Sequence, residues 1–206
     1  MPERLLIATT NQHKLEEIAA ILAAAGCTLP LLGLSSLSGY TEPAEDGDSF
    51  AANAEIKAVS AAKAGGCITL ADDSGLCVEA LGGAPGLLSA RYADDQQTQH
   101  NNAANRRKLL RELAGLPPEQ RRAAFVCAVC VAVPQADAPP RLYHLQGRCE
   151  GVIGEREKGE HGFGYDSLFY MPQYGRTMAE LPPQIKNSVS HRARAIRQAA
   201  VLLAKL

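Results

Sequence analysis

Apolar residues along the chain switch between two periods, and the switches mark out the elements. Arg4 to Ala8 reads as a short buried strand. From Thr9-Thr10-Asn11 onward the spacing becomes helical, with Leu15, Ile18, Ala19, Leu22 and Ala25 on one stripe and Gly26 as its stop. Leu29 to Leu34 is a second apolar run, followed by the acidic loop Thr41-Glu42-Pro43-Ala44-Glu45-Asp46-Gly47-Asp48. Asp48 or Ser49 is the expected cap of another helix, with Phe50, Ala54, Ala58 and Ala61 on one side and Gly65-Gly66 at its end. Cys67 to Ala71 is the next strand and runs directly into Asp72-Asp73-Ser74-Gly75.

The second half reads differently. A Gly/Pro loop (Gly82 to Gly86) leads to a polar helix ending in Leu109, Leu110 and Leu113, and Pro117-Pro118 breaks the chain. Two long β-type runs follow, Arg122 to Val133 and Arg141 to Ile153, and the Pro134 to Pro140 linker suits a hairpin. Gly159 to Gly164 is glycine-rich, Leu168 to Met171 is a short strand candidate, and a last helix is expected over Val189 to Leu206 with Val189, Ala193, Ile196, Ala200 and Leu203 inward. Alternating strand and helix, then paired strands, predict a single α/β domain over residues 1–206, built on a mixed β-sheet with two lobes.

Composition narrows the function classes. With 206 residues the chain can bury its own core without a disulfide or structural metal. A formal net charge of −1 lacks the basic footprint of a nucleic-acid binder, so no nucleic-acid partner is expected. No apolar run approaches the ~20 residues of a membrane span. The start Met1-Pro2-Glu3-Arg4 has no leader-peptide pattern, and six cysteines sit largely in apolar runs, so free thiols in the cytoplasm are expected. Cys127 and Cys130 form a C-x-x-C, but on a strand positions i and i+3 face opposite sides, which disfavours a redox or zinc pair.

Five segments carry candidate chemistry, each with a plainer alternative. Thr9-Thr10-Asn11-Gln12-His13-Lys14 follows a strand and opens a helix, where free N–H groups suit an anion. A lysine in the first helical turn opposes the helix dipole, which either a bound phosphate or the neighbouring Glu16 and Glu17 would relieve. No Walker sequence is present. Asp72-Asp73-Ser74-Gly75 at a strand terminus suits Mg²⁺, which takes one or two carboxylates plus water and phosphate oxygens; a solvated turn is the alternative. Only one of two consecutive strand carboxylates is expected to face the metal. Glu45, Asp46 and Asp48 precede the helix carrying Asn53 and Lys57, which share a face; a helix-entry device is the alternative. Gly162-Phe163-Gly164-Tyr165-Asp166 offers close backbone approach and an aromatic ring for a flat base, or a surface turn. Lys186-Asn187-Ser188-Val189-Ser190-His191-Arg192 leads into the last helix, where the planar guanidinium of Arg192 matches the acceptor edge of a 6-oxo purine; a capped helix start is the alternative. His13, His100, His144 and His161 lack ligand-type spacing.

Taken in order, T-x-N-x-x-K, E-x-G-x-S-F-x-x-N-A-x-x-K-A, A-D-D-S-G-L, L-G-G-A-P-G-x-x-S-A-R-Y, G-F-G-Y-D and S-H-R resemble the inosine/xanthosine triphosphate pyrophosphatase family from Ala8 to Arg192. The resemblance implies a long mixed sheet flanked by helices, two lobes around a central cleft, and a homodimer. It implies that Thr9, Asn11 and Lys14 belong to a triphosphate-binding turn, that Glu45 and Asp73 hold Mg²⁺, and that Asp73 is the general base with Asp72 its acidic neighbour. Ser74 matches a substrate contact, Phe163, Gly164, Tyr165 and Asp166 a base-binding loop, and Lys186, His191 and Arg192 the remaining nucleotide contacts. In many relatives Pro follows the Tyr-Asp pair, whereas Ser167 follows here, and the C-x-x-C is foreign to the family's pattern.

The expected activity is therefore hydrolysis of non-standard purine nucleoside triphosphates to monophosphate and pyrophosphate. A water activated by the metal and deprotonated by Asp73 or Asp72 attacks phosphorus, with Lys14, Lys57 and the first helix N-terminus neutralising charge. Two rivals are a non-catalytic nucleotide binder, against which the three carboxylates at Glu45, Asp72 and Asp73 argue, and a Mg²⁺ phosphatase acting on another small phosphate.

Overall fold

The computed structural model describes residues 4–93 and 101–206. Met1, Pro2 and Glu3, on which the leader-peptide expectation rests, and His100 lie outside the described residues. The elements in chain order are β1 (Leu5–Ile7), α1 (Gln12–Ala24), β2 (Leu31–Gly33), α2 (Phe50–Gly65), β3 (Ile68–Val78), α3 (Asn102–Glu112), β4 (Arg122–Val133), β5 (Arg141–Ile153), β6 (Phe169–Met171), β7 (Arg176–Thr177), α4 (Pro183–Val189) and α5 (His191–Leu203), with short 3₁₀ turns between them. The strands form one sheet in the order β2-β1-β3-β4-β5-β6-β7. It is mixed, as expected: β1 runs parallel to β2 and β3, whereas the β5–β6 and β6–β7 pairs are antiparallel. No described helix is long and apolar enough to cross a membrane.

The chain divides into two compact units, and β3, β4 and β5 contribute residues to both. The first unit runs to Asp73 and takes up Cys127–Gly147 and His191–Leu206; the second holds Ser74–Val126 and Arg148–Ser190.

In the first unit the two faces of the strands are covered by different helices. Leu5, Ile7, Ile68, Leu70, Cys127, Val129 and Val131 pack with Ile18, Ile21 and Leu22 of α1 and with Ala193, Ile196, Ala199 and Leu203 of α5. The intervening positions Leu6, Ala8, Ala71, Ala128, Cys130 and Ala132 pack with Ala54, Ala58, Ala61 and Ala62 of α2. This is the period-two alternation of a strand buried on both sides. Cys127 and Cys130 accordingly lie in different clusters and are free thiols. The α2 interface is small on both sides, alanine on alanine, so helix and sheet backbones come close.

Local signals explain the helix starts. Asn11 caps α1, its side-chain oxygen accepting from Lys14 N at 3.1 Å. Ser49 rather than Asp48 caps α2, accepting from Ala52 N at 3.2 Å. Gly66 closes α2 in the left-handed conformation at φ 60°, which glycine adopts without the penalty of a side chain.

The second unit has its own core. Leu76 and Val78 of β3, Phe125 of β4, Cys149 and Ile153 of β5 and Phe169 and Met171 pack with Leu109 and Leu113. The Phe125 and Phe169 rings meet at 4.5 Å between centroids. Buried Arg121 donates to the carbonyls of Ile153, Leu113 and Gly154 at 2.8, 3.1 and 2.9 Å, which ties the ends of β5 and α3 to the start of β4.

Two expectations need correction. The strand expected to end at Ala71 continues through Asp72-Asp73-Ser74-Gly75 to Val78, so this segment is sheet and not a turn. Tertiary context overrides the low strand propensity of Asp and Gly, because the residues on either side are core positions of the two units. The last helix starts at His191 and not at Val189, because Ser190 adopts extended backbone (φ −65°, ψ 162°), and Val189 instead ends the short helix α4 before it. Val189 thus packs with the second unit's core, while Ala193, Ile196, Ala200 and Leu203 keep their expected inward stripe in the first.

Gly147 of β5 permits the start of α5 to lie directly against the strand. A side-chain carbon there would overlap the His191 carbonyl oxygen and stand 2.7 Å from Ala195 N. Gly147→Ala is expected to lower unfolding free energy by about 3 kcal/mol, the upper end of ordinary overpacking, because its neighbours are backbone atoms that cannot rotate away. Urea unfolding of the two proteins measures this, and coincident midpoints would contradict the close approach.

Candidate active site

Asp72 and Asp73 are adjacent on β3, so the pleat sends them to opposite faces. Asp72 follows Ile68 and Leu70 onto the α1/α5 face. Its Oδ2 lies 3.1 Å from Lys14 Nζ, accepts from Arg192 Nε and Nη2 at 3.3 Å each, and lies 3.8 Å from the Cys127 thiol. Arg192 Nη1 in turn donates to Glu17 at 2.5 Å. Asp73 follows Thr69 and Ala71 onto the α2 face. There Asn53 Nδ2 donates to its Oδ2 at 3.1 Å, and Lys57 Nζ stands 4.0 Å from its Oδ1.

Lys57 gathers this second face. Its ammonium donates to the Asp72 backbone carbonyl at 2.8 Å and lies 3.0 Å from Glu45 Oε1. Glu45 and Asp73, from a loop and a strand, therefore converge on one point. Asn53, one helical turn before Lys57, also accepts from Gly47 N at 2.9 Å and so holds the acidic loop to α2. The acidic loop is part of the cluster and not merely a helix entry.

The two carboxylates titrate in opposite directions. Burial works to raise both. For Asp72 the Lys14, Arg192 and Lys57 charges outweigh burial and hold its carboxyl well below the usual carboxylate range. For Asp73 burial prevails, reinforced by the Glu45 charge and opposed by Lys57, Lys14 and the Asn53 hydrogen bond, so its pKa is raised. Burial lowers the Lys57 ammonium, but Asp72, Asp73 and Glu45 more than offset this and keep it charged. The Arg192 guanidinium is pushed further up by Asp72 and Glu17 against its own burial. Asp72 Oδ1 is buried and has no hydrogen-bond partner among the described residues.

The amino-terminal turn is ordered by its own side chains. Thr9 Oγ1 accepts from Asn11 N at 3.2 Å, Thr10 Oγ1 donates to Glu42 at 2.9 Å, and Gln12 Nε2 donates to Glu16 at 2.9 Å. Gln12 and His13 are exposed at the first positions of α1. The partner of Lys14 is neither Glu16 nor Glu17 but Asp72.

In the second unit, Gly162 to Asp166 form a loop folded around the Asp166 carboxylate. Asp166 Oδ2 accepts from Phe163 N at 2.9 Å and from Lys186 Nζ at 2.6 Å, an ion pair buried on both sides. A side chain at Gly162, which has φ +77°, would collide with that same oxygen. Lys186 Nζ also lies over the Phe163 ring, 5.0 Å from its centroid. Tyr165 is buried and its hydroxyl donates to the Ser89 carbonyl at 2.9 Å. Ser74 continues β3 immediately after Asp73, and His191 is buried at the start of α5.

The structure thus unites Lys14, Glu45, Lys57, Asp72, Asp73 and Arg192 in the first unit, and Phe163, Gly164, Tyr165, Asp166 and Lys186 in the second. The Arg192 guanidinium, expected to read a purine edge, is instead engaged by two carboxylates. Glu17, which local spacing offers only as a neighbour of Lys14, instead meets Arg192 across 175 positions of sequence. The C-x-x-C gains no redox support. Burial pushes the Cys127 thiol up to about 12, with Asp72 adding to it, and burial with Glu55 does the same for Cys130, so neither forms a ready thiolate.

Fold and site together define an α/β protein whose mixed sheet carries a buried carboxylate–lysine–arginine cluster. The chain belongs to the Ham1 family, whose profile matches residues 5–201. A dITP/XTP pyrophosphatase of Desulforamulus reducens is 44% identical over 203 residues, 98% of this chain and 96% of that protein. A dITP/XTP pyrophosphatase of Haemophilus influenzae is 45% identical over 206 residues, the full length of both. The solved structure of a HAM1 protein from Coxiella burnetii superposes with a TM-score of 0.85 at 36% identity, covering 98% of this chain and 99% of that one.

The opposed shifts have opposed consequences for stability. A raised folded-state pKa makes the contribution of Asp73 fully present below its unfolded value and lost as pH rises through the folded one; a lowered pKa makes that of Asp72 present at neutral pH and lost only in strong acid. In EDTA at pH 7, Asp73→Asn is expected to raise the melting temperature and Asp72→Asn to lower it. The Asp73 difference should shrink to nothing as pH falls below the ordinary aspartate range. Thermal melts across pH check both signs.

Proposed function

We infer that this chain is a nucleoside-triphosphate pyrophosphatase that hydrolyses non-standard purine nucleotides, inosine, deoxyinosine and xanthosine triphosphates, to monophosphate and pyrophosphate. The observation that carries the reading is the convergence of Glu45 and Asp73 on the Lys57 ammonium, beside a second lysine at a helix N-terminus. The names of full-length relatives at about 45% identity support the same activity.

The residues fit a hard divalent cation. The donors are all oxygens, and Asp73 is raised partly by the Glu45 charge, as expected of carboxylates gathered for a cation. Among the described residues no cluster of three or more acidic, His or Cys side chains forms a metal cage, and Mg²⁺ characteristically uses one or two carboxylates with water and phosphate oxygens. We assign Glu45 and Asp73 as its holders. Bound there, Mg²⁺ would lower the pKa of water and offset phosphoryl charge.

The chain's own groups then divide the work. Lys57, Lys14 and the free N–H groups at the start of α1 hold triphosphate oxygens, with Thr9, Thr10, Asn11, Gln12 and His13 shaping that turn. Asp73 takes the proton of the attacking water as its oxygen bonds to the α-phosphorus, the bond to the bridging oxygen breaks, and pyrophosphate leaves. An ordinary aspartate, with a pKa of about 3.9, is a poor base at neutral pH, and burial of Asp73 moves it in the useful direction. Asp72 is the wrong group for that step, since Lys14 and Arg192 hold its carboxyl ionised and low. Its role is to fix Lys14 and Arg192, and Arg192 with Glu17 to fix Asp72.

Base recognition falls to the second unit's loop. Hypoxanthine and xanthine present an acceptor oxygen at C6 beside an N1–H donor, the reverse of adenine. Lys186 supplies a donor and Asp166 an acceptor next to the Phe163 ring, and mismatched buried polar groups make such a pair selective against adenine, while guanine shares the 6-oxo edge and differs at C2. Ser74 and His191 are assigned as further nucleotide contacts. The same proposal has the enzyme acting as a cytoplasmic homodimer on free nucleotides and not on nucleic acid, in keeping with its net charge of −1.

With inosine triphosphate and Mg²⁺, ³¹P NMR should show pyrophosphate and no orthophosphate, and EDTA should abolish turnover. Asp73→Asn should lose kcat by about a hundredfold or more. Orthophosphate as the first product would replace this reading with a phosphatase, and wild-type kcat in Asp73→Asn would remove Asp73 from the chemistry.

A further inference from the structure

The loop around Phe163 is held from outside by α3. Arg106 Nη1 donates to the Gly164 carbonyl at 2.9 Å, across 58 positions of sequence. Its Nε stands 2.8 Å from Glu157 Oε2, an ion-pair distance without hydrogen-bond geometry. Glu157 Oε2 also accepts from Ser167 Oγ at 3.2 Å, so Arg106 reaches the loop at Gly164 and, through Glu157, the segment that follows it.

The preceding residue on α3 braces the other side. Buried Asn105 donates to the Ala90 carbonyl at 2.9 Å and accepts from Ala93 N at 2.7 Å. This steadies the turn whose Ser89 carbonyl receives the Tyr165 hydroxyl, and Ser89 Oγ accepts from Leu76 N at 2.9 Å, tying that turn to β3. Gly164 has φ +61°, a region glycine enters at little cost and leaves as readily. A guanidinium on its carbonyl oxygen, and the tyrosine anchor beside it, limit the peptide orientations that follow Phe163. A charge-assisted hydrogen bond to a partly buried carbonyl is among the stronger ways to do this.

We propose that Arg106 is a positioning residue for base recognition, holding the Gly164 carbonyl so that the Phe163 ring and Asp166 keep the pose that receives the purine. This rests on the assignment of Phe163 to Asp166 as the base site. Arg106 has no part in the proposed phosphate chemistry, so its loss should weaken substrate binding and leave the chemical step in place.

The test compares kcat and KM for inosine triphosphate in Arg106→Ala, Arg106→Lys and Phe163→Ala. Arg106→Ala is expected to raise KM about tenfold with kcat within about twofold of wild type. Arg106→Lys, which keeps the charge and one donor for Gly164, should recover part of that loss. An unchanged KM in Arg106→Ala, or a fall in kcat at constant KM, overturns the proposal. If Arg106→Ala does not fold, Arg106→Lys and Arg106→Gln decide: equal KM values for these two and the wild type overturn it as well. An unchanged KM in Phe163→Ala would instead overturn the base site itself. A raised KM in Phe163→Ala with none in Arg106→Ala removes only the brace.

Discussion

Two consecutive aspartates on a strand buried on both faces cannot share an environment, and the site follows from that constraint. The pleat turns Asp72 toward α1 and α5 and Asp73 toward α2. One carboxylate meets Lys14 and Arg192 and stays ionised; the other meets Asn53, Lys57 and Glu45 and is raised. Identical side chains at consecutive positions thereby acquire opposite shifts, one carboxylate held low by its cations and the other raised by burial. A one-residue slip of β3 would exchange them and would also turn Ile68 and Leu70 out of their cluster, so core packing and site chemistry specify the same register.

Burying this much charge requires close partners, and the packing supplies them. The alanines of α2 lie against alanines of the strands, so the helix comes near enough for Lys57 to reach the Asp72 carbonyl. Gly147 lets the first turn of α5 approach β5, which carries Arg192 inward to Asp72. Removing Lys14 or Arg192 from around Asp72 would leave an uncompensated buried charge, which is why these three behave as a set.

The second unit solves a different problem, an irregular loop that must hold one shape. Its hub is again a carboxylate, since Asp166 binds the Phe163 amide and Lys186 and lies too close to Gly162 to tolerate a side chain there. Membership of the Ham1 family and the ordered motifs agree, while Arg106, which holds this loop from α3, belongs to none of those motifs.

Much of this was legible along the chain. Strand and helix periods located the elements because each buries a face, and the order of short motifs from Thr9 to Arg192 pointed to the family. Alternation alone separated Asp72 from Asp73 and Cys127 from Cys130. Tertiary structure decided what local pattern cannot encode. It extended β3 through Asp-Asp-Ser-Gly, because flanking core residues outweigh weak strand propensity. It started the last helix after Ser190 and assigned Val189 to a short helix before it, gave Lys14 to Asp72 instead of Glu16 or Glu17, and engaged Arg192 with Asp72 and Glu17. Charge pairing between residues as distant in sequence as Asp72 and Arg192 depends on which helix lands on which face of the sheet, and only the folded chain sets that.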